Sequence, residues 1–356
     1  MPNLEIGHVV AEQTLLHLLQ KQSFWSKCVT KLQFGNETKV VKGGMQMAQT
    51  AIVAPTTPSK SYSLGRRLFG RKVVPWLFVL PILLIHVIVV IGPSLSAFYY
   101  SLTDWSGVGA ANFVGLENFR RLLFEDIGYK RAFFNNVLWL IFFLVIPISL
   151  ALLAASLLAA LQRGGMFVRT ILFIPFVLPS VITASIWRNF MSPTLGIGPQ
   201  LAQMGLPGLD QAYLGNPKTA LLAVAFVDNW HWWGFLMALF LAAMQNIPPE
   251  LYEAARIDGA SRWQEFRHVT LPGIRPTLVF LLLMTAIWSF LVFDYIWILT
   301  RGGPAGASEV LGTLVVKNAF NRFEAGYAAA IGLTMSFLAG IFVSLFAVLR
   351  RRGWEI

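Results

Sequence analysis

The chain has 356 residues, of which 56% are hydrophobic and 13% charged, with a net charge of +11. A soluble domain carries about 25% charged residues, so this composition excludes a soluble globular protein of comparable size. The excess of Lys and Arg is clustered beside apolar runs, which argues against nucleic acid as a partner and for a membrane surface.

In chain order, residues 1–63 read as a poorly structured cytoplasmic extension. Leu15, Leu16, Leu18 and Leu19 are spaced for a short amphipathic helix, and Pro55–Ser63 reads as a linker. Met45 or Met47 is an alternative start, and an interfacial anchor is the functional alternative for this segment. Asn36-Glu37-Thr38 fits a glycosylation sequon but falls on the predicted cytoplasmic side. The single cysteine, Cys28, excludes an intramolecular disulfide and a Cys-based metal cluster. Residues 64–352 read as a six-span all-α membrane domain, because a hydrocarbon core needs about 20 mostly apolar residues per helix. The runs are 75–100, 136–161, 170–190, 219–244, 277–299 and 327–349. Prolines at 81, 93, 147, 175 and 179 fall inside them, where neighbouring helices can satisfy the freed backbone groups.

Lys60, Arg66, Arg67, Arg71 and Lys72 precede the first run, Arg163 and Arg169 flank the second connection, and Arg350, Arg351 and Arg352 follow the last. With six spans these segments share one side, and the positive-inside rule makes that side cytoplasmic, with both termini. The opposite loops are more balanced, as in Glu117, Arg120, Arg121, Glu125, Asp126, Lys130 and Arg131.

The polar loop 246–276 then lies in the cytoplasm. Asn246-Ile247-Pro248-Pro249-Glu250 is a helix-opening signal, with Asn246 as N-cap candidate, prolines in the first turn and an acid at the positive dipole end. Leu251, Ala254 and Ala255 share one flank of the short helix that follows. Gly259 supplies a left-handed residue that ends it. Ser261-Arg262-Trp263-Gln264 is a capping-box pattern opening a second helix, with Trp263 and Phe266 as its apolar flank. Leu271 before Pro272 is expected to close it.

Glu253-Ala254-Ala255, three residues, Gly259, nine residues, Val269, one residue and Leu271-Pro272 together resemble the EAA loop of ABC-importer permeases. Val269 stands where that family usually has isoleucine. The resemblance covers about residues 75–350 and is closest in kind to carbohydrate importers of the maltose type. Ser101-Leu102-Thr103-Asp104-Trp105 with Phe113-Val114-Gly115-Leu116-Glu117-Asn118-Phe119 is similar to that subfamily's first outer loop. Thr300-Arg301-Gly302-Gly303-Pro304 and Gly326-Tyr327-Ala328-Ala329-Ala330 are similar to its turn after the fifth span and the start of its sixth. The 101–132 loop is short, whereas the maltose permease has a large inserted domain there, so maltose itself is not implied.

The resemblance implies the type I ABC-importer permease fold in a bacterial inner membrane, surrounded by lipid, with no catalytic residues, no metal and no directly bound cofactor. ATP-Mg would sit on two separate ATP-binding cassette subunits, since the chain has no Gly-x4-Gly-Lys-Ser/Thr phosphate loop. A second permease and a periplasmic or extracellular sugar-binding protein are further implied partners. The ATPase-coupling residues implied are Glu253, Ala254, Ala255, Asp258, Gly259, Leu271 and Pro272.

A sugar site mixes aromatic walls with a few placed polar groups near the bilayer middle. The fourth span opens with Asp228-Asn229-Trp230-His231-Trp232-Trp233-Gly234-Phe235, and the fifth carries Thr285, Trp288, Ser289 and Val292 on one helical face. By the resemblance, Thr285, Trp288 and Ser289 line the substrate path with His231, Trp232 and Phe235 opposite. Trp230, Trp233 and Trp297 also suit an interfacial aromatic belt. Asp228 and Asp294 sit near the outer ends of their spans. Asp294 is off the Ser289 face by well over a third of a turn, and pairing with a neighbour such as Arg301 or contact with water is expected.

A glycerol-phosphate or other polyol permease is the alternative cargo reading, but a phosphate wants Arg or Lys, and none occurs in 219–244 or 277–300. An ion-coupled secondary transporter would leave the central loop unexplained. An intramembrane enzyme built on Asp228 and His231 lacks a nucleophile motif or metal set.

Overall fold

Backbone groups in a hydrocarbon layer must satisfy one another, which a helix does within its own segment. The computed structural model accordingly turns the apolar runs into helices. It describes residues 74–351 apart from 162 and 206–210. The expectations for residues 1–63, for the basic residues before the first span and for Arg352 lie outside the described residues. The chain runs through α1 (Trp76–Ser101), α2 (Ile127–Ala159), α3 (Gly165–Val177), α4 (Ser180–Phe190) and α5 (Ala220–Gln245). It continues as α6 (Pro249–Ile257), α7 (Arg262–Glu265), α8 (Arg275–Leu291), α9 (Asp294–Leu299), α10 (Leu311–Val316) and α11 (Ala325–Arg351). The β structure found among the described residues is an isolated bridge between Thr103 and Phe113.

Among the described residues, α1, α2, α8 taken with α9, and α11 are long and apolar enough to cross a membrane. The run at 170–190 is not one straight helix. Its two halves, α3 and α4, bend by 98°. Leu178 precedes Pro179 and is extended, at φ −75° and ψ 134°, because the proline ring excludes the helical region for its predecessor. Helix α5 has 26 residues, about 39 Å at 1.5 Å each. It is missing from the apolar set because Asp228, Asn229 and His231 interrupt it. The second predicted span starts earlier than expected, at Ile127, where Asp126 accepts the Tyr129 N–H at 3.0 Å as an N-cap.

The hub is α5. Leu236, Met237 and Phe240 are fully buried in a cluster with Phe143, Ile148, Ala151 and Ala155 of α2 and Leu281 of α8. Small residues such as Ala151 and Ala155 let backbones approach, the usual basis of helix contact in membranes. At Gly234 a Cβ would run into the Leu172 carbonyl of α3, so glycine sets that helix spacing. Helix α1 does the reverse of a soluble helix. None of its apolar window is buried, so it presents its side chains outward.

Two polar devices tie the ends together. Where α1 ends, Asn118 donates to the Ser101 and Thr103 carbonyls, both at 2.8 Å. Gly326 donates its N–H to the Trp105 carbonyl at 2.8 Å, and a Cβ there would overlap the Thr103 and Tyr100 carbonyls. In the interior, α8 stops at Leu291 because Val292 is extended, at φ −57° and ψ 132°. The last turn of a helix leaves carbonyls without partners. Buried Asn136 of α2 supplies one, donating to Ser289 O at 2.8 Å while accepting the Leu311 N–H at 2.8 Å.

Asn136→Ala leaves two buried backbone groups unpaired, each costing about 1–3 kcal/mol. The apparent melting temperature of the purified protein in detergent should fall, and an unchanged melting curve would refute the linking role. Gly326→Val, which forces the first loop away from α11, should likewise lower the yield of monodisperse protein on size exclusion.

Candidate functional site

Both helix breaks open onto one cavity of about 420 Å³. Phe176 and Ser180 reach it from the α3–α4 bend, and Val292, Phe293, Asp294 and Tyr295 from the α8–α9 break. Asp228, His231 and Trp232 come from α5, Trp139 and Phe143 from α2, and Thr285, Trp288 and Ser289 from α8. A second cavity of about 430 Å³ lies between Phe190, Leu222 and Phe226. Its setting is largely apolar and it meets neither break, so the first is the stronger candidate for a polar solute.

Five of the six residues expected on a substrate path line this cavity: His231, Trp232, Thr285, Trp288 and Ser289. Phe235 lies behind the wall, stacked on Phe176 at 4.5 Å and 5.1 Å from Trp232. Trp232 and Trp288 meet across the α5–α8 contact, with ring centroids 4.3 Å apart and planes tilted by 50°. Trp139 and Phe143, stacked at 5.1 Å and 12°, add a wall from α2 that the sequence reading did not single out. Their four-residue spacing on one face was the available signal.

The polar groups are few and placed. Ser289 donates its hydroxyl to the Thr285 carbonyl at 2.7 Å. The Thr285 hydroxyl is buried, in a residue only 2% exposed, and has no hydrogen-bond partner in the protein. Buried hydroxyls nearly always find one, which sets Thr285 apart from Ser289 on the cavity lining. Asp294 departs from its expected place. A continuous helix would turn it away from Ser289, but the extended Val292 and Phe293 at φ −149° swing it to the cavity. It forms no ion pair with Arg301 and is exposed, which leaves contact with water as the expected alternative that holds.

The second candidate surface is the loop between α5 and α8. Ser261 and Gln264 form the expected capping box, with the Ser261 N–H donating to Gln264 Oε1 at 2.7 Å. Gly259 is left-handed at φ +79° with open space around it. Two expectations fail locally. Asn246 caps the end of α5, and α6 opens on Pro248 with no side-chain cap. Leu271-Pro272 does not close the second helix. A π turn over Phe266–Thr270 lets the Leu271 N–H reach back to Phe266 O, and the helix runs on to Gly273.

Arg256 and Glu265 pair at 3.0 Å and the Tyr252 and Thr270 hydroxyls at 3.0 Å, fixing α6 against the second helix. Ala255, Asp258 and Gly259 line a shallow groove of about 280 Å³ with Gln264 and His268. Glu253 and Ala254 are exposed on α6, and Leu271 and Pro272 sit in the turn that leads to α8. Beside the groove stand Ile257 and Trp263, 85% and 66% exposed.

Comparison with known proteins agrees with this architecture. Residues 148–353 match the family described as binding-protein-dependent transport system inner membrane component. The chain is 37% identical to the probable ABC transporter permease protein YurN of Bacillus subtilis, over 73% of this chain and 90% of that one. It is 33% identical to the trehalose/maltose transport system permease protein MalF of Thermococcus litoralis, over 77% of this chain and 90% of that one. A crystal structure of a bacterial ABC transporter that imports the acidic polysaccharide alginate superposes with TM-score 0.71 at 24% identity, covering 83% of this chain and 100% of that chain. Helices, breaks and sequence place this chain in one family: it is an inner-membrane permease component of a binding-protein-dependent ABC transport system.

Proposed function

We propose that the protein is the translocation subunit of an ATP-driven importer of carbohydrate rather than of a phosphorylated polyol. The cavity at the two helix breaks carries the reading. It pairs indole and phenyl walls, which suit the C–H faces of a sugar, with a buried hydroxyl that lacks a partner. No Lys or Arg lines it, so a phosphorylated polyol would find no matching cation. The substrate path is assigned to His231, Trp232, Thr285, Trp288 and Ser289, with Phe235 as backing.

Six crossings are assigned: α1, α2, the bent α3–α4 pair, α5, α8 with α9, and α11. Both termini and the α6–α7 loop then share the cytoplasmic side of a bacterial inner membrane, in keeping with Arg163, Arg169, Arg350 and Arg351 on that side. ATP hydrolysis lies on a separate subunit, and the loop offers Glu253, Ala254, Ala255, Asp258, Gly259, Leu271 and Pro272 to it. ATP-Mg stays on two ATP-binding cassette subunits. A second permease completes the pore, and a sugar-binding protein delivers cargo from outside. Closure of the ATPase pair would push α6 and the helix after it as a rigid body. Gly273 packs so closely on Ile247 that a Cβ would overlap it, and α8 begins two residues later, so a push on the loop moves the helix that ends in the cavity.

The test is ATP-dependent sugar uptake by vesicles holding all subunits. Gly259→Asp, at a left-handed and exposed position, should leave the subunit inserted and abolish uptake, whereas normal uptake would sink the docking role. Uptake that survives ATP depletion but collapses with a protonophore would replace the importer reading with an ion-coupled one.

A further inference from the structure

We propose that Asp228 and Asp294 form a subsite for a positively charged group on the cargo, so that the cavity prefers an amino sugar to its neutral counterpart. This rests on the reading of the cavity as the sugar path. Asp228 on α5 and Asp294 at the first turn of α9 line the same space. Among the described residues neither takes part in an ion pair. The wall holds no Lys or Arg, and His231 is its basic side chain. Two carboxylates facing one cavity inside a membrane domain repel each other, and the half-buried Asp228 also loses part of its hydration. A guest cation between them offsets both effects.

Two independent features point to an organic guest. The Thr285 hydroxyl, buried and on the same wall, has no partner within the protein. Trp232 and Trp288 line the same cavity with ring centroids 4.3 Å apart, and an ammonium group is attracted to an indole ring within about 6 Å of its centroid. A bare metal ion would want a tighter donor set, and no group of three or more His, Cys, Asp and Glu residues suited to one occurs among the described residues. An ammonium-bearing sugar uses all three elements at once: carboxylates for charge, indoles for its faces, and Thr285 for a hydroxyl.

The test titrates the purified complex of permeases and ATPases with the β-1,4 disaccharides of glucose and of glucosamine, at neutral pH, where the amines are still substantially protonated. These differ by the replacement of each 2-hydroxyl with an ammonium group, and tryptophan fluorescence reports binding. The glucosamine disaccharide should bind about tenfold more tightly, and the combined Asp228→Asn and Asp294→Asn substitutions should erase that preference. Should the double variant fail to assemble, Asp294→Asn alone, at an exposed helix start, should reduce it. Equal binding of the two disaccharides, or a preference that survives loss of the carboxylates, overturns the charge subsite alone. If neither disaccharide binds, the sugar reading of the cavity falls with it.

Discussion

The structure turns on one unpaid helix end. Helix α8 stops inside the bundle, and a terminus leaves carbonyls that have no partner within the helix. Asn136 resolves this by giving its amide N–H to Ser289 O and taking the Leu311 N–H on its oxygen. One buried side chain therefore holds α2, α8 and α10 at a common point. Gly312 completes the fit, since a Cβ there would press on the Val292 carbonyl. Without that support the break would cost several unsatisfied groups, and a straight α8 would carry Asp294 away from the cavity.

The same break puts the two candidate surfaces at opposite ends of one helix. Helix α8 leaves the α6–α7 loop at Arg275 and ends at the cavity at Leu291, a span of about 25 Å at 1.5 Å per residue. Its start is fixed by buried Ile274 and by the contact of Gly273 with Ile247. Its end is fixed by Asn136. The helix is thus held at both ends, and discontinuous helices lining a binding site are a recurrent transporter design. The exposed Ile257 and Trp263 give the loop an apolar contact area that a solvated connector would not need.

What could be read from the sequence was local. The Ser261 and Gln264 capping box and the left-handed Gly259 involve side chains and backbone a few residues apart, so spacing alone determined them. Thr285, Trp288 and Ser289 sit on one face because α8 is regular as far as Leu291. Beyond that point periodicity failed. Asp294 and Tyr295 reach the cavity through two non-helical residues, Val292 and Phe293, and nothing in an apolar run marks where a distant Asn136 will permit a break. The run at 170–190 hid its bend for a related reason. Pro179 announces a local disruption, but its 98° size depends on what α3 and α4 pack against. Asn246 misled because an N-cap residue before a helix and a C-cap residue after one look alike when two helices nearly touch.

The composition of α5 follows from its position. It carries Asp228, Asn229 and His231 in a segment otherwise built of Leu, Ala, Phe and Trp. In a lipid-facing helix a charged residue at the bilayer centre costs about 2.5–3.5 kcal/mol on insertion scales. Here α5 is the hub, surrounded by α2, α3 and α8, so those groups face protein and cavity rather than lipid. Outward-facing α1 shows the converse, with a mean hydropathy of 2.5 and no buried window. Polarity is therefore concentrated in the helix best shielded from lipid, which is where a polar solute would have to be received. A helix too polar to count as a span by composition is, for that reason, the one most suited to line the path.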